Sequence, residues 1–383
     1  MKKEKTMNIE EALKEEAKSD ESNTFSKQYK ITQYPADKSL FELNRMYQNG
    51  DLIVPRNFQR KYVWDIKRAS TLIESFLLGL PVPGIFLYLT TDRKYMIIDG
   101  QQRILSIAMF INGIFDGKGF EKNDSDDKGI EFKLQDVHED WQKNRNTYKK
   151  LLDEDKRNFD NSILRATIVQ QLEPDDNESI FHIFERLNTG GVNLNPMQIR
   201  MCVYNGKMMD LLLELNAKKE WRKIIGQENE DINYFDIELI LRMFALQEYF
   251  DEYKSPMKKF LNDYCGDLNS DKSKLLNNDK SKLDTWVDKK RQLFEKVVND
   301  ILKIDNKLLF FKGKKFSLTV FDAIAVALMK LHNDDDKYTL KDGINKDSFL
   351  NNTDFVASID IKYNTAGREN IKKRVEKALD ILK

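Results

Sequence analysis

A chain of 383 residues with 63 Lys+Arg against 63 Asp+Glu carries no formal net charge, which excludes a uniformly basic nucleic-acid coat and an acidic tail but leaves room for a local basic groove. At roughly 100–200 residues per domain this length predicts two domains. The 40% of apolar residues suffices for a core, and 16 Gly with 7 Pro lean the balance toward helix.

Residues 1–27 are dense in Lys and Glu with no apolar run, so they read as flexible or loosely helical and not as a secretory leader. Patterning begins near Tyr29. From Ser70 to Leu80 the apolar residues Ile73, Phe76, Leu77 and Leu80 recur at helical spacing, with Asp65 placed to cap and Gly79 and Pro81 to stop the helix. The apolar runs 84–89 and 95–98, separated by 90–94, predict a β-hairpin. Its second strand runs into Asp99-Gly100, and a helical pattern starts at once with Ile104, Leu105, Ala108 and Ile111. Residues 117–129 read as a solvated loop and 163–171 as a strand. A helix then carries Ile180, Phe181, Phe184 and Leu187 on one face and ends at Asn188-Thr189-Gly190-Gly191, a left-handed stop. Asn195-Pro196 opens another helix. Beyond about residue 205 the pattern is helical almost throughout, notably over 234–250, 285–304, 316–331 and 369–382. The expected class is α+β: a mixed domain at 28–205, then an all-α domain at 206–383.

Three segments could carry chemistry. In Asp99-Gly100-Gln101-Gln102-Arg103, a strand delivers a carboxylate and a glycine directly to a helix N-terminus, where free N–H groups and the helix dipole favour an anion. Arg103 could add a bidentate fork and Asp99 could hold Mg2+ or position a water. The plain alternative for Asp99 is an N-cap. In the second segment Arg56, Gln59 and Arg60 are interleaved with Phe58, Tyr62 and Trp64 and suit phosphate or base contacts, or else form a surface loop over core aromatics. In the third, Arg186 and Asn188 stand at a helix end beside Gly190 and Gly191.

Other groups say less. His182 and Glu185 share a metal-compatible spacing that equally suits a solvated helix face. His138 and His332 sit in charged stretches that read as exposed. Cys202 and Cys265 alone make neither a zinc site nor a disulfide framework. No serine elbow, Walker-type loop or histidine cluster is present. No stretch nears about 18 uninterrupted apolar residues. The expectation is a cytoplasmic protein with no membrane partner.

Together the three segments resemble the N-terminal domain of GmrSD-type modification-dependent restriction systems, which recurs in SspE-type and related anti-phage proteins and whose fold is similar to ParB and sulfiredoxin. The family pattern of a Pro-x-x-Gln-Arg segment, a helix, a strand ending in DGQQR and an F-x-R-x-N-x-G-G segment corresponds here to Pro55–Arg60, Asp99–Arg103 and Phe184–Gly191. Asp236-Ile237-Glu238 and Arg242 look like the family's post-domain helix. The resemblance implies an NTP-binding and hydrolysing domain (ATP, GTP or CTP, with Mg2+) coupled to sensing modified DNA. Asp99, Gln102 and Arg103 would then be catalytic, with Asp99 as the metal ligand, and Arg56, Gln59, Arg60, Gly100, Gln101, Arg186 and Asn188 would bind the nucleotide. Larger relatives carry a His-based nuclease domain that this sequence does not show, and the sulfiredoxin cysteine is absent beside Gly100-Gln101-Gln102. Three readings stay open: an NTPase of a restriction or anti-phage system, self-associating or not, acting on DNA or with a separately encoded nuclease; a non-catalytic sensor of nucleotide or modified DNA; and a metal-dependent nuclease, for which a single motif carboxylate is few.

Overall fold

The computed structural model describes residues 9–19, 29–54, 62–90, 93–116, 129–173, 178–187, 195–270, 273–305, 309–312, 315–335, 337–360 and 366–383. Its contacts form two compact units, Lys27–Leu194 and a second in which the N-terminal segment joins Asn195–Lys383. Helix α1 (Ile9–Ser19) thus belongs with the C-terminal helices.

The first unit is built on a five-stranded mixed sheet of β1 (Lys30–Pro35), β2 (Leu52–Ile53), β3 (Ile85–Leu89), β4 (Tyr95–Asp99) and β5 (Ala166–Glu173), in the spatial order β1-β5-β3-β4-β2. Pairs β1/β5 and β3/β4 are antiparallel, whereas β3/β5 and β2/β4 are parallel. The expected hairpin is β3–β4, closed where the N–H and Oγ1 of Thr90 both donate to the Lys94 carbonyl at 2.9 Å.

Because side chains alternate along a strand, Leu87, Ile97 and Ile168 enter a core shared with helices α2 (Leu40–Gln48), α3 (Ile66–Leu77), α4 (Gln101–Asn112) and α5 (Asp153–Asn161). Tyr88, Met96, Ile98 and Val169 are buried on the opposite face, on the side where helix α6 (Glu178–Leu187) lies against β4 and buries Ile180 and Phe181. Burial on both faces explains why residues 95–98 are continuously apolar.

Helix α3 starts at Ile66, earlier than its apolar spacing suggests, because the Asp65 carboxylate caps it by accepting from Arg68 N–H at 2.8 Å. Edge-to-face rings cross the core from Phe76 through Phe159, Phe110, Phe132 and Phe115 to Tyr62, with centroids 5.1–6.2 Å apart.

The second unit contains α7 (Pro196–Val203), α8 (Lys207–Asn216), α9 (Lys219–Ile224), α10 (Phe235–Glu248), α11 (Met257–Asn269), α12 (Leu283–Ile304), α13 (Leu318–Asp334) and α14 (Arg368–Leu382) among its helices. Asn195 opens α7 with a capping box closed by Gln198. Eleven of the fourteen residues of α10 are buried, which marks it as the central helix. Each of its buried or half-buried charges meets a partner. Asp236 pairs with Arg222 at 2.7 Å, Glu238 with Arg200 at 3.0 Å, and Glu248 with Lys290 at 2.8 Å. Arg242 grips Glu16 of α1 at 2.7 Å and Asp322 of α13 at 2.6 Å, and Arg374 of α14 closes on Asp322 at 2.7 Å.

Two sequence expectations change here. Residues 9–19, read as flexible or loosely helical, form a helix that is not loose but buries Ile9, Ala12, Leu13 and Glu16. The charge density that suggested solvent conceals one acid with a dedicated guanidinium partner. His332, read as exposed, is buried with Nε2 2.7 Å from Asp300 Oδ2 and its ring 4.9 Å from that of Tyr338.

Burial raises the Asp300 carboxyl, but hydrogen bonds from His332 and Lys303 outweigh it and hold the group below the usual carboxylate range. A depressed folded-state pKa gives stability that is full above the unfolded value of about 4 and is lost as pH falls through the folded value. Asp300→Asn should therefore unfold more easily than wild type at pH 7, with a deficit that is smaller at about pH 3. Denaturant midpoints at the two pH values check this, and a deficit that does not narrow in acid would contradict it. Cys202 and Cys265 are buried free thiols, and burial pushes Cys265 up to about 12. No described helix is long and apolar enough to cross a membrane.

Candidate functional site

The site is a strand–turn–helix junction in the first unit. At the end of the hairpin Phe86 pairs with Asp99 and Leu87 with Ile97, so Ile98 is an extra residue on β4. Such a bulge bends a strand and re-aims its terminal side chain. Gly100 follows at φ 92° and ψ 11°, in the left-handed region. A Cβ there would lie 2.2 Å from Ile85 Cγ2, so only glycine fits both the backbone and the space.

Gly100, not Asp99, holds the N-cap position of α4, and no side chain caps that helix. The cap reading of Asp99 is therefore corrected. Its Oδ2 accepts instead from Arg103 Nη2 at 2.8 Å, and the same Nη2 donates to the Gly84 carbonyl at 3.0 Å. Four residues apart, the two side chains meet as they would along one helical turn, and the pair fixes the guanidinium over the turn. Asp99 is 49% exposed and Arg103 17%.

Helix N-termini leave their first N–H groups without intrahelical partners, and two more donors here have no acceptor. Arg103 Nε and Gln101 Nε2 are both buried without a hydrogen-bond partner. A junction with surplus donors, a guanidinium and the positive end of a helix dipole suits a polyanion.

Gln102 is placed differently. Its Oε1 accepts from the backbone N–H groups of Val63 at 3.0 Å and Trp64 at 3.4 Å. One turn on, Ser106 Oγ donates to the Gln102 carbonyl at 2.7 Å and lies 2.5 Å from the Tyr62 hydroxyl. Burial pushes the Tyr62 phenol up to about 12, so it stays neutral. Tyr62 entered the sequence reading only as one of the aromatics of the second segment, and Ser106 was not singled out. A lone serine within the apolar run 104–111 was the only local signal.

The structure thus gathers Asp99, Gly100, Gln101, Gln102 and Arg103 around one turn. Arg56, Gln59, Arg60 and Asn188 lie outside the described residues, as does the side chain of Arg186. The backbone of α6, which carries Arg186, packs against β4, the strand that ends in Asp99. His182 sits with its ring 5.8 Å from Tyr29, and the side chain of Glu185 is outside the described set. His138 is exposed, 3.1 Å from Asp140. Among the described residues no group of three His, Cys, Asp or Glu side chains could hold a metal ion. A lone, half-exposed carboxylate fits a Mg2+ that arrives with a phosphate ligand and completes its shell with water, rather than a dedicated cage.

A mixed α/β domain with this junction is one half of the chain's architecture, and its sequence identifies its kind. Residues 38–205 match the family model described as GmrSD restriction endonuclease, N-terminal domain. This segment belongs to that family, which points to a component of a restriction or defence system. The match includes α7, which the contacts group with the second unit. No curated protein and no solved structure matches the chain.

Proposed function

We propose that the first unit is a ParB/sulfiredoxin-like domain that binds and hydrolyses a nucleoside triphosphate with Mg2+, as part of a DNA-modification-dependent restriction or anti-phage system. The observation that carries this is the pair of buried donors without acceptors, Arg103 Nε and Gln101 Nε2, at an uncapped helix start opened by a glycine that no other residue can replace. Buried donors of this kind call for a partner that the fold does not supply.

In this reading the first-turn N–H groups of α4 and the side chain of Gln101 hold phosphate oxygens. Arg103, steadied by Asp99 and Gly84, offsets charge on the leaving phosphate. The exposed Asp99 carboxylate orients the attacking water or ligates Mg2+. Bound nucleotide with Mg2+ supplies the scissile phosphoanhydride. Family resemblance adds Arg56, Gln59, Arg60, Arg186 and Asn188 to the same pocket. DNA, and a nuclease encoded separately, are the proposed partners. Binding without turnover is the second reading, favoured by the ion pair that already occupies the single carboxylate.

Phosphate release from ATP, GTP, CTP and UTP with Mg2+, with and without unmodified and modified DNA, tests the proposal. Turnover that vanishes in Asp99→Ala is the expected result. Turnover that survives Asp99→Ala contradicts the role given to that residue. Binding with no release under any condition favours the second reading.

A further inference from the structure

We infer that Gln102 is a positioning residue: its side-chain carbonyl clamps the chain leading into α3 onto the first turn of α4, and it acts on the nucleotide site without touching the nucleotide. The inference rests on the nucleotide reading above for its functional consequence and on geometry alone for the clamp.

Gln102 Oε1 accepts from two consecutive backbone N–H groups, Val63 at 3.0 Å and Trp64 at 3.4 Å. Those residues immediately precede Asp65, the cap of α3. One side chain therefore ties the N-terminal ends of two neighbouring helices together. The tie is backed by a second contact on the same face of α4, because position 106 lies one turn beyond 102. There Ser106 Oγ meets the buried Tyr62 hydroxyl at 2.5 Å, and the Tyr62 ring ends the aromatic series through Phe115, 5.6 Å away. Arg68, on the first turn of α3, stacks over Trp64 at 4.7 Å. The acceptor is thus held to rigid elements on both sides, which positioning at a binding site requires. Gln101 and Arg103 flank Gln102 and carry the buried donors without acceptors, so a loosened first turn misplaces both at once.

The clamp needs an acceptor at the tip of residue 102, whereas direct phosphate contact needs a donor there. Gln102→Glu keeps the acceptor and loses the donor, and Gln102→Met keeps the length and loses both. Full-length wild type, Gln102→Glu and Gln102→Met are compared by hydrogen exchange at Val63 and Trp64 and by ATP titration with Mg2+. In Gln102→Met, exchange at both amides should rise at least tenfold and ATP should bind about tenfold more weakly. In Gln102→Glu exchange at both amides should stay within about threefold of wild type, and any ATP deficit should come from the added charge and shrink relative to wild type in high salt. An ATP deficit in Gln102→Glu that salt does not relieve, with amide protection intact, would overturn the inference, since Gln102 would then touch the phosphates. Protection unchanged in Gln102→Met would overturn it whether or not any nucleotide binds. Wild type that binds no nucleotide while Gln102→Met loses amide protection sinks the nucleotide reading and leaves the clamp standing.

Discussion

Arg242→Ala should be the most damaging single substitution in the C-terminal unit. Arg242 is fully buried between two carboxylates, with hydrogen bonds of 2.7 and 3.1 Å to Glu16 and of 2.6 and 3.1 Å to Asp322. Removing it leaves Glu16 with its main partner gone and Asp322 with Arg374. Stripping one member from a buried ion pair typically costs about 3–5 kcal/mol, and at roughly 2–4 °C per kcal/mol for a unit of this size the thermal midpoint should fall by about 10 °C.

The loss should also depend on pH. Burial already pushes the Glu16 carboxyl up in spite of the Arg242 guanidinium beside it. Without Arg242 the folded-state pKa rises further, so the folded form gains stability by taking up a proton and loses it as pH rises through that value. The deficit should be largest at pH 7–8 and smaller near pH 5, as calorimetry at the two pH values would read. An effect under about 1 kcal/mol, or one independent of pH, would mean that the cluster does not hold α1 in place.

Gly100→Ala should abolish nucleotide binding and lower stability together. The new methyl would meet Ile85 Cγ2 at 2.2 Å on a backbone at φ 92°. Overpacking of this kind costs about 1–3 kcal/mol, and the left-handed strain adds to it. The strand-to-helix geometry is what aims Arg103 and Gln101, so binding should fail even where folding survives. Ile85→Ala in the same chain removes the colliding Cγ2, so the two losses should sum to less than additive, while Ile85 Cβ at 2.9 Å and the left-handed φ keep part of the strain in place. Melting curves of the single and double variants separate the two contributions. Simple additivity would show that no collision occurs.

Much of this architecture was legible because it is written locally. The caps at Asp65 and Asn195 each depend on a residue three positions on, and the hairpin pairs residues no more than 13 positions apart. What escaped depends on distant partners. Nothing near His332 announces Asp300, 32 positions away, and nothing near Glu16 announces Arg242, 226 positions away. Asp99 followed a local rule and still misled, because the bulge at Ile98 and the left-handed Gly100 take the cap position and leave the carboxylate to Arg103. Gln102 carries no sequence sign of its role, since its partners are backbone N–H groups that belong to no residue type.

If the Gly100 junction holds nucleotide phosphates through Arg103, loss of that side chain should show directly in nucleotide affinity. Calorimetric titration of ATP, GTP, CTP and UTP with Mg2+ into the full chain and into Arg103→Ala tests it most directly. Saturable binding of at least one nucleotide to wild type is the expected result, weakened tenfold or more in Arg103→Ala, which equals a loss of about 1.4 kcal/mol or more. Equal affinity in the two proteins, or no binding of any nucleotide to wild type, would contradict it.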